Sequence, residues 1–192
     1  VSDEKAAHIA HIKSKTLPPL RIIQSGEVRT VIEGIYAFED SWACIRYSLP
    51  AFGDEIGIDI RLFNASGDTL FKLEVPTVLE DTCFEGRIAF GVDDLISDGR
   101  EAVAQQWIRV RDDQSSVLLA NDSSYSCSCE GGVLAQTLLR SCAYCAHPWA
   151  NENILPQDRF SARADIGEHC FGFALVAGDN DDIEERSDRI AA

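Results

Sequence analysis

Methionine is absent from the 192 residues, and the chain opens on Val1. That predicts a processed chain or a segment cut from a longer protein, with part of any function outside it. Positive charge is scarce: 17 Lys and Arg face 32 Asp and Glu, for a net charge of −15. An acidic surface repels phosphate, which argues against nucleic acid and against an anionic membrane surface as partners. Apolar residues make up 45% of the chain, yet no apolar run approaches the ~20 residues that span a bilayer. No segment combines a basic start, an apolar middle and a small-residue cleavage site. Only four histidines are present. Neither a Gly-x-Ser-x-Gly elbow nor a phosphate-binding glycine loop occurs.

What is present is strand-like punctuation. After a polar lead-in at 1–19, closed by Pro18-Pro19, short runs rich in Val, Ile, Phe, Tyr and Thr alternate with Gly, Asp, Asn and Ser clusters. Ile56, Ile58, Ile60 and Leu62 alternate with Gly57, Asp59 and Arg61, a period of two. Other candidate strands are 28–38, 42–49, 70–75, 84–91, 103–110, 116–121, 125–129, 133–139, 159–165 and 169–177. Glu130-Gly131-Gly132 is a hairpin turn, because glycine takes positive φ without steric cost. About eleven strands exceed one small barrel, so the expectation is an all-β domain over 20–178, built as two large stacked antiparallel sheets. A chain of this length can bury roughly 70% of its unfolded surface, enough for a core without staples. The acidic segment 179–192 reads as a solvated turn or helix.

The chemistry-bearing residues cluster late in the chain. Seven cysteines is an odd number with no regular spacing, which predicts a reducing, cytoplasmic setting. Cys142 and Cys145 have zinc-knuckle spacing and His147 follows, but Cys127 and Cys129 are one residue too close to form the matching pair. A thioredoxin-like motif would need to open a helix in a βαβ unit. Ordinary buried or surface thiols are therefore the expectation, and no metal site is assigned. Trp42, Trp107 and Trp149, with Tyr36, Tyr47, Tyr125 and Tyr144, could stack on sugars, but aromatic residues on strands are more often core.

Residues 116–148 carry a more specific pattern: Leu118-Leu119-Ala120-Asn121-Asp122-Ser123-Ser124-Tyr125, then Gly131-Gly132, then Leu138-Leu139-Arg140-Ser141-Cys142-Ala143-Tyr144-Cys145-Ala146-His147-Pro148. Flanking pieces are Ser25-Gly26-Glu27-Val28-Arg29, the strand ending at Val75-Pro76, Gln105-Gln106-Trp107, and Asp165-Ile166-Gly167-Glu168-His169 running on to Leu175. In order and spacing this resembles the C-terminal β-domain of glycoside hydrolase family 38, the zinc-dependent α-mannosidases. Cys142 stands where the family has proline, and Cys145 falls at a variable position. The resemblance implies a galactose mutarotase-like β-supersandwich that packs on a catalytic domain of the same protein. Zinc and the nucleophile would lie in that other domain, with no cofactor in this chain. It also implies an α-mannoside substrate for the parent protein, with Arg140, Tyr144 and His147 as rim candidates near the sugar and no catalytic residue here. A competing expectation is that Arg140 only pairs with a carboxylate inside the sandwich. The alternative function is a free-standing carbohydrate-binding or interaction module.

Overall fold

The structure is a computed structural model that describes residues 1–10, 17–143 and 162–191. Helix α1 (Asp3–Ile9) starts the chain, with the Ser2 hydroxyl accepting from Lys5 N at 3.3 Å as its N-cap. Strands β1 (Leu20–Ser25), β2 (Arg29–Phe38), β3 (Ser41–Pro50), β4 (Ile56–Asn64) and β5 (Thr69–Pro76) follow. Next come β6 (Cys83–Ile88), β7 (Gly91–Asp94), β8 (Ala102–Val103), β9 (Gln105–Arg111), β10 (Ser115–Asn121), β11 (Ser126–Glu130), β12 (Val133–Ser141) and β13 (Gly167–Asp179). Helix α2 (Asn180–Ile190) closes the chain.

Nine strands form one sheet, in the order β1-β2-β3-β4-β13-β10-β9-β6-β7, and four form the other, β5-β12-β11-β8. Each strand pair is antiparallel. The two sheets face each other across one apolar core. Ile58, Ile60 and Leu62 of β4 and Phe84, Ile108, Val110 and Leu119 of the large sheet meet Cys127, Cys129, Leu134 and Leu139 of the small one. The period-two run in β4 thus does what its spacing requires: Ile58, Ile60 and Leu62 are 2–3% exposed, while Asp59 and Arg61 face the other way. The all-β, two-sheet antiparallel architecture expected from the sequence is the observed one. The β11–β12 hairpin turns on Gly131 (φ 56°) and Gly132 (φ 77°), the pair of positive angles a type I′ turn needs.

Several boundaries differ from the sequence reading. The run 84–91 is two strands, β6 and β7, hinged with Phe90 fully exposed. The run 103–110 is also two: β8 pairs with β11 in the small sheet and β9 with β10 in the large one. The chain crosses between sheets at Ala104, which is 3% exposed in the core. Strand β1 has no alternation in Leu-Arg-Ile-Ile-Gln-Ser because it is an edge strand exposed along most of its length. The proposed strand at 159–165 is not found: 159–161 lie outside the described residues, and 162–166 contain a turn with Asp165 at φ 54°. The acidic C-terminal segment is a packed helix rather than a solvated one. Ile183 is fully buried against Trp107, Leu118 and Val176 on the outer face of the large sheet. Helix α1 covers the same face elsewhere, with Ala6 and Ile9 packed on Ile35.

Candidate functional site

The Arg140 end of the sandwich is built from clamped turns. Asn64, fully buried at the end of β4, accepts from Ser66 N at 3.0 Å and donates to the Asp165 carbonyl at 2.8 Å. The buried Ser41 hydroxyl accepts from Ala65 N at 3.0 Å, joining the β2–β3 and β4–β5 turns. Beside them β12 runs out through Arg140 and Ser141. The Ser141 hydroxyl donates to the Ala164 carbonyl at 2.9 Å, and Ala164 N donates to the Cys142 carbonyl at 2.9 Å. Arg163 forks onto Asp68 at 3.0 and 2.8 Å. The two feet of the segment between Ala143 and Ala162 are thereby tied together and to the β4–β5 turn.

Arg140 itself is exposed and pairs in register with Leu70, which is 50% exposed. Among the described residues its guanidinium forms no salt bridge or hydrogen bond. Pairing with a carboxylate inside the sandwich is therefore not what this side chain does. Tyr144 and His147 lie outside the described residues, as do Cys145, Trp149 and His11.

The remaining thiols behave as structural side chains. Cys127 and Cys129 lie one residue apart on β11, so both enter the core, 0% and 1% exposed. Burial pushes the Cys127 thiol up to about 12, assisted by the nearby Glu101 carboxylate, and burial raises Cys129 as well. Among the described residues no three His, Cys, Asp or Glu side chains converge as a metal site would require. His8 is exposed on α1, while half-buried His169 stacks on Phe171 at 6.4 Å and lies 3.2 Å from the Asp165 carbonyl. Trp107 is 1% exposed with its indole N–H on Asp188 at 3.1 Å, and Trp42 stacks on Phe63 at 5.7 Å. Tyr36 and Tyr125 are exposed and Tyr47 is half-buried.

The sequence reading missed a charged row on the outer face of the large sheet. Register places Arg21 of β1 beside Glu33 of β2, Glu33 beside Arg46 of β3, Arg46 beside Asp59 of β4, and Asp59 beside Gly172 of β13. Glu33, only 2% exposed, accepts from Arg21 on one oxygen and from Arg46 Nε at 2.9 Å on the other. Burial alone would raise its pKa; the Arg46 hydrogen bond, the Cys44 thiol and Arg21 outweigh it and hold the carboxyl below its ordinary value. Burial, reinforced by Glu33, pushes Cys44 up to about 11. In the next row Arg61 lies between Cys44 and Cys170, donates to Glu168 at 2.6 Å, and stacks over Trp42 at 5.2 Å. Alternating charges along one strand carry no signal by themselves; only the cross-strand register brings opposite signs together.

A second charged cluster lies under α2. Glu85 (7% side-chain exposure) accepts from Arg109 (5%) at 3.1 and 2.5 Å on one oxygen and from Arg111 at 2.5 Å on the other. Burial opposes ionisation there too, and the two arginines overcome it to lower the Glu85 pKa. Arg109 Cζ lies over the Trp107 ring at 5.8 Å. This cluster welds β6 to β9 beneath the helix.

No family model and no curated protein matches the sequence. In three dimensions the chain is similar to a protein of glycosyl hydrolase family 38 from Enterococcus faecalis, with TM-score 0.74 and 12% identity over 90% of this chain. It is similar as well to an α-mannosidase from Enterococcus faecalis V583, with TM-score 0.70, 12% identity and again 90% of this chain. The chain spans about a quarter of the length of these structures, 24% and 23%. It therefore has the fold of one part of those longer chains. Overlap with an aldose 1-epimerase from Escherichia coli K12 is looser, with TM-score 0.46, 5% identity, and 83% and 68% of the two chains, too low to carry an argument. No described helix is long and apolar enough to cross a membrane.

Proposed function

We propose that this chain is the C-terminal β-domain of a glycoside hydrolase family 38-like protein, an α-mannosidase-type glycosidase. It supports a catalytic domain of the same protein and contributes to the rim of its sugar pocket. The observation that carries this reading is the TM-score of 0.74 over 90% of the chain, matched to only 24% of a family 38 chain. The order of motifs from Leu118 to Pro148 agrees with it. Zinc and the nucleophile would be supplied outside this chain, and the domain alone would be inert.

Arg140 is the rim residue with physical support. It is exposed, it has no described partner to satisfy, and it stands where the clamped feet of the following segment hold the backbone. A planar guanidinium can donate in a fork to two sugar hydroxyls or to a wall of the neighbouring domain. Tyr144 and His147 are proposed alongside it on the sequence pattern.

The test is steady-state kinetics of the full-length protein on a nitrophenyl α-mannoside, comparing wild type with Arg140→Ala. Loss of a charged hydrogen bond of about 1.5–3 kcal/mol predicts a fall in kcat/KM of roughly 10- to 100-fold. Unchanged kcat/KM in a folded variant removes Arg140 from the rim. Absence of mannosidase turnover in the wild type removes the assignment itself.

A further inference from the structure

A groove of about 570 Å³ lies on the outer face of the nine-stranded sheet. That volume lies inside the ~300–1,000 Å³ range of small-molecule sites. Its floor is the charged row described above, and one wall is the C-terminal end of α1 at Ile9 and Ala10. Three guanidiniums, Arg21, Arg46 and Arg61, and three carboxylates, Glu33, Asp59 and Asp122, line it. Among the described residues the lining is thus formally neutral, on a chain of net charge −15.

The two acids at its centre keep free acceptor capacity. Asp59 is exposed and makes no hydrogen bond among the described residues. Asp122 spends Oδ1 on Gly172 N at 3.3 Å and on the Ser123 hydroxyl at 2.7 Å, leaving Oδ2 over the strand. Between the two acids β13 carries Gly172, paired in register with Asp59. A Cβ at 172 would stand 2.9 Å from Asp122 Oδ2. Any side chain at 172 would therefore push the Asp122 carboxylate aside.

We propose that this groove binds a neutral polyhydroxylated ligand, a saccharide of one or two rings. Asp59 and Asp122 accept from its hydroxyls, and the exposed Arg46 donates to them. The chemistry decides among ligand classes. An anion would meet Asp59 and Asp122; a cation would meet Arg46 and Arg61. An apolar molecule would strip water from six charged groups and give no hydrogen bond back. Hydroxyls both donate and accept, so they complement carboxylate and guanidinium at once, and a neutral ligand carries no charge to desolvate. This goes beyond the rim reading: the groove is on the other sheet from Arg140, and it stands whether or not Arg140 meets a substrate.

The groove carries its own reporter. Cys170 lines it and is exposed, whereas Cys83 is exposed and lies outside it. Iodoacetamide labelling of the full-length protein, read peptide by peptide in a mass spectrometer, follows both thiols at once. The probes are methyl α-mannoside, methyl β-galactoside and maltose at about 100 mM, far above a roughly millimolar Kd, with sodium phosphate and citrate for comparison. At least one saccharide should slow labelling of Cys170 about fivefold or more while Cys83 is unchanged, and Asp59→Ala should abolish the protection. Asp59→Asn, which keeps the shape, should weaken it and covers the case in which the alanine variant does not fold. The proposal is overturned by equal Cys170 rates with and without every saccharide. It is equally overturned by slowing of both thiols alike, by protection from phosphate or citrate alone, or by protection that survives the Asp59 variants. Mannosidase turnover does not enter this readout, so its failure is distinguishable from failure of the family assignment.

Discussion

Replacing Ile183 with alanine tests whether the acidic C-terminal helix belongs to the folded body. Eleven isolated residues are too few for a stable helix in water, so α2 exists because it is docked. Its docking contacts can be ranked. Arg186 bonds Asp54 at 2.8 and 2.7 Å and Asp182 at 2.7 Å, but the acids are exposed, so solvent and salt screen these bridges and leave them weak. Asp188 accepts from Trp107 at 3.1 Å, a hydrogen bond of about 1 kcal/mol net. Ile183 has no exposed surface and fills the space between Trp107, Leu118 and Val176. Truncating a buried isoleucine costs about 2–5 kcal/mol, more than any one of these polar contacts. Local undocking caps the loss at the docking energy of the helix, so about 2–3 kcal/mol is expected. Urea unfolding followed by tryptophan fluorescence measures it, and Trp107 beneath the helix should shift to the red before the main transition. Glu185→Ala, on the exposed side, should stay within about 0.5 kcal/mol. An Ile183→Ala cost under 1 kcal/mol, with no change at Trp107, would refute the packing argument and restore the solvated tail.

Among the described thiols, Cys83 and Cys170 should react with Ellman's reagent in the native protein, while Cys127 and Cys129 wait for denaturant; early reaction at either core cysteine contradicts their burial. Glu33 and Glu85 are both held below the ordinary glutamate value near 4.5, so the stability they contribute is present above that pH and is lost as pH falls through their lower folded values. Urea midpoints should therefore be level from neutrality to about pH 5 and drop below about pH 4.5; a flat profile down to pH 3 is the contrary result. Gly86→Val should cost about 1–3 kcal/mol, since even a Cβ at 86 stands 2.7 Å from both Ala104 Cβ and Leu95 Cδ1 in the core; a neutral effect in thermal unfolding would show that the core gives way there.

Strand identity was legible wherever one face of a strand is wet and the other dry. The alternation of β4 and the glycine pair after Glu130 each follow from rules two to four residues long, and both were readable. Strand β1 was not, because an edge strand exposed on both sides imprints no period on its sequence. Nor was the break at Ala104, where the chain changes sheets without a proline or glycine to mark it. The acidic helix misled for a related reason: two isoleucines among eleven otherwise polar residues are a weak signal until their partner surface is known.

The candidate sites divide the same way. The resemblance carried by residues 116–148 marked Arg140 as a residue to watch, and composition alone argued against nucleic acid as a partner and against a spanning helix. The thiols' burial, the Glu33 and Glu85 ion pairs, and the neutral groove depend on residues up to some 150 positions apart, Arg21 and Gly172 among them. Short-range propensity acts over a few residues, so the sequence by itself determined those strands that have one wet and one dry face, and which residues are chemically unusual. Which charges meet is set by register across five neighbouring strands, and a slip of one residue would turn that row into the core. Only the tertiary structure could decide it.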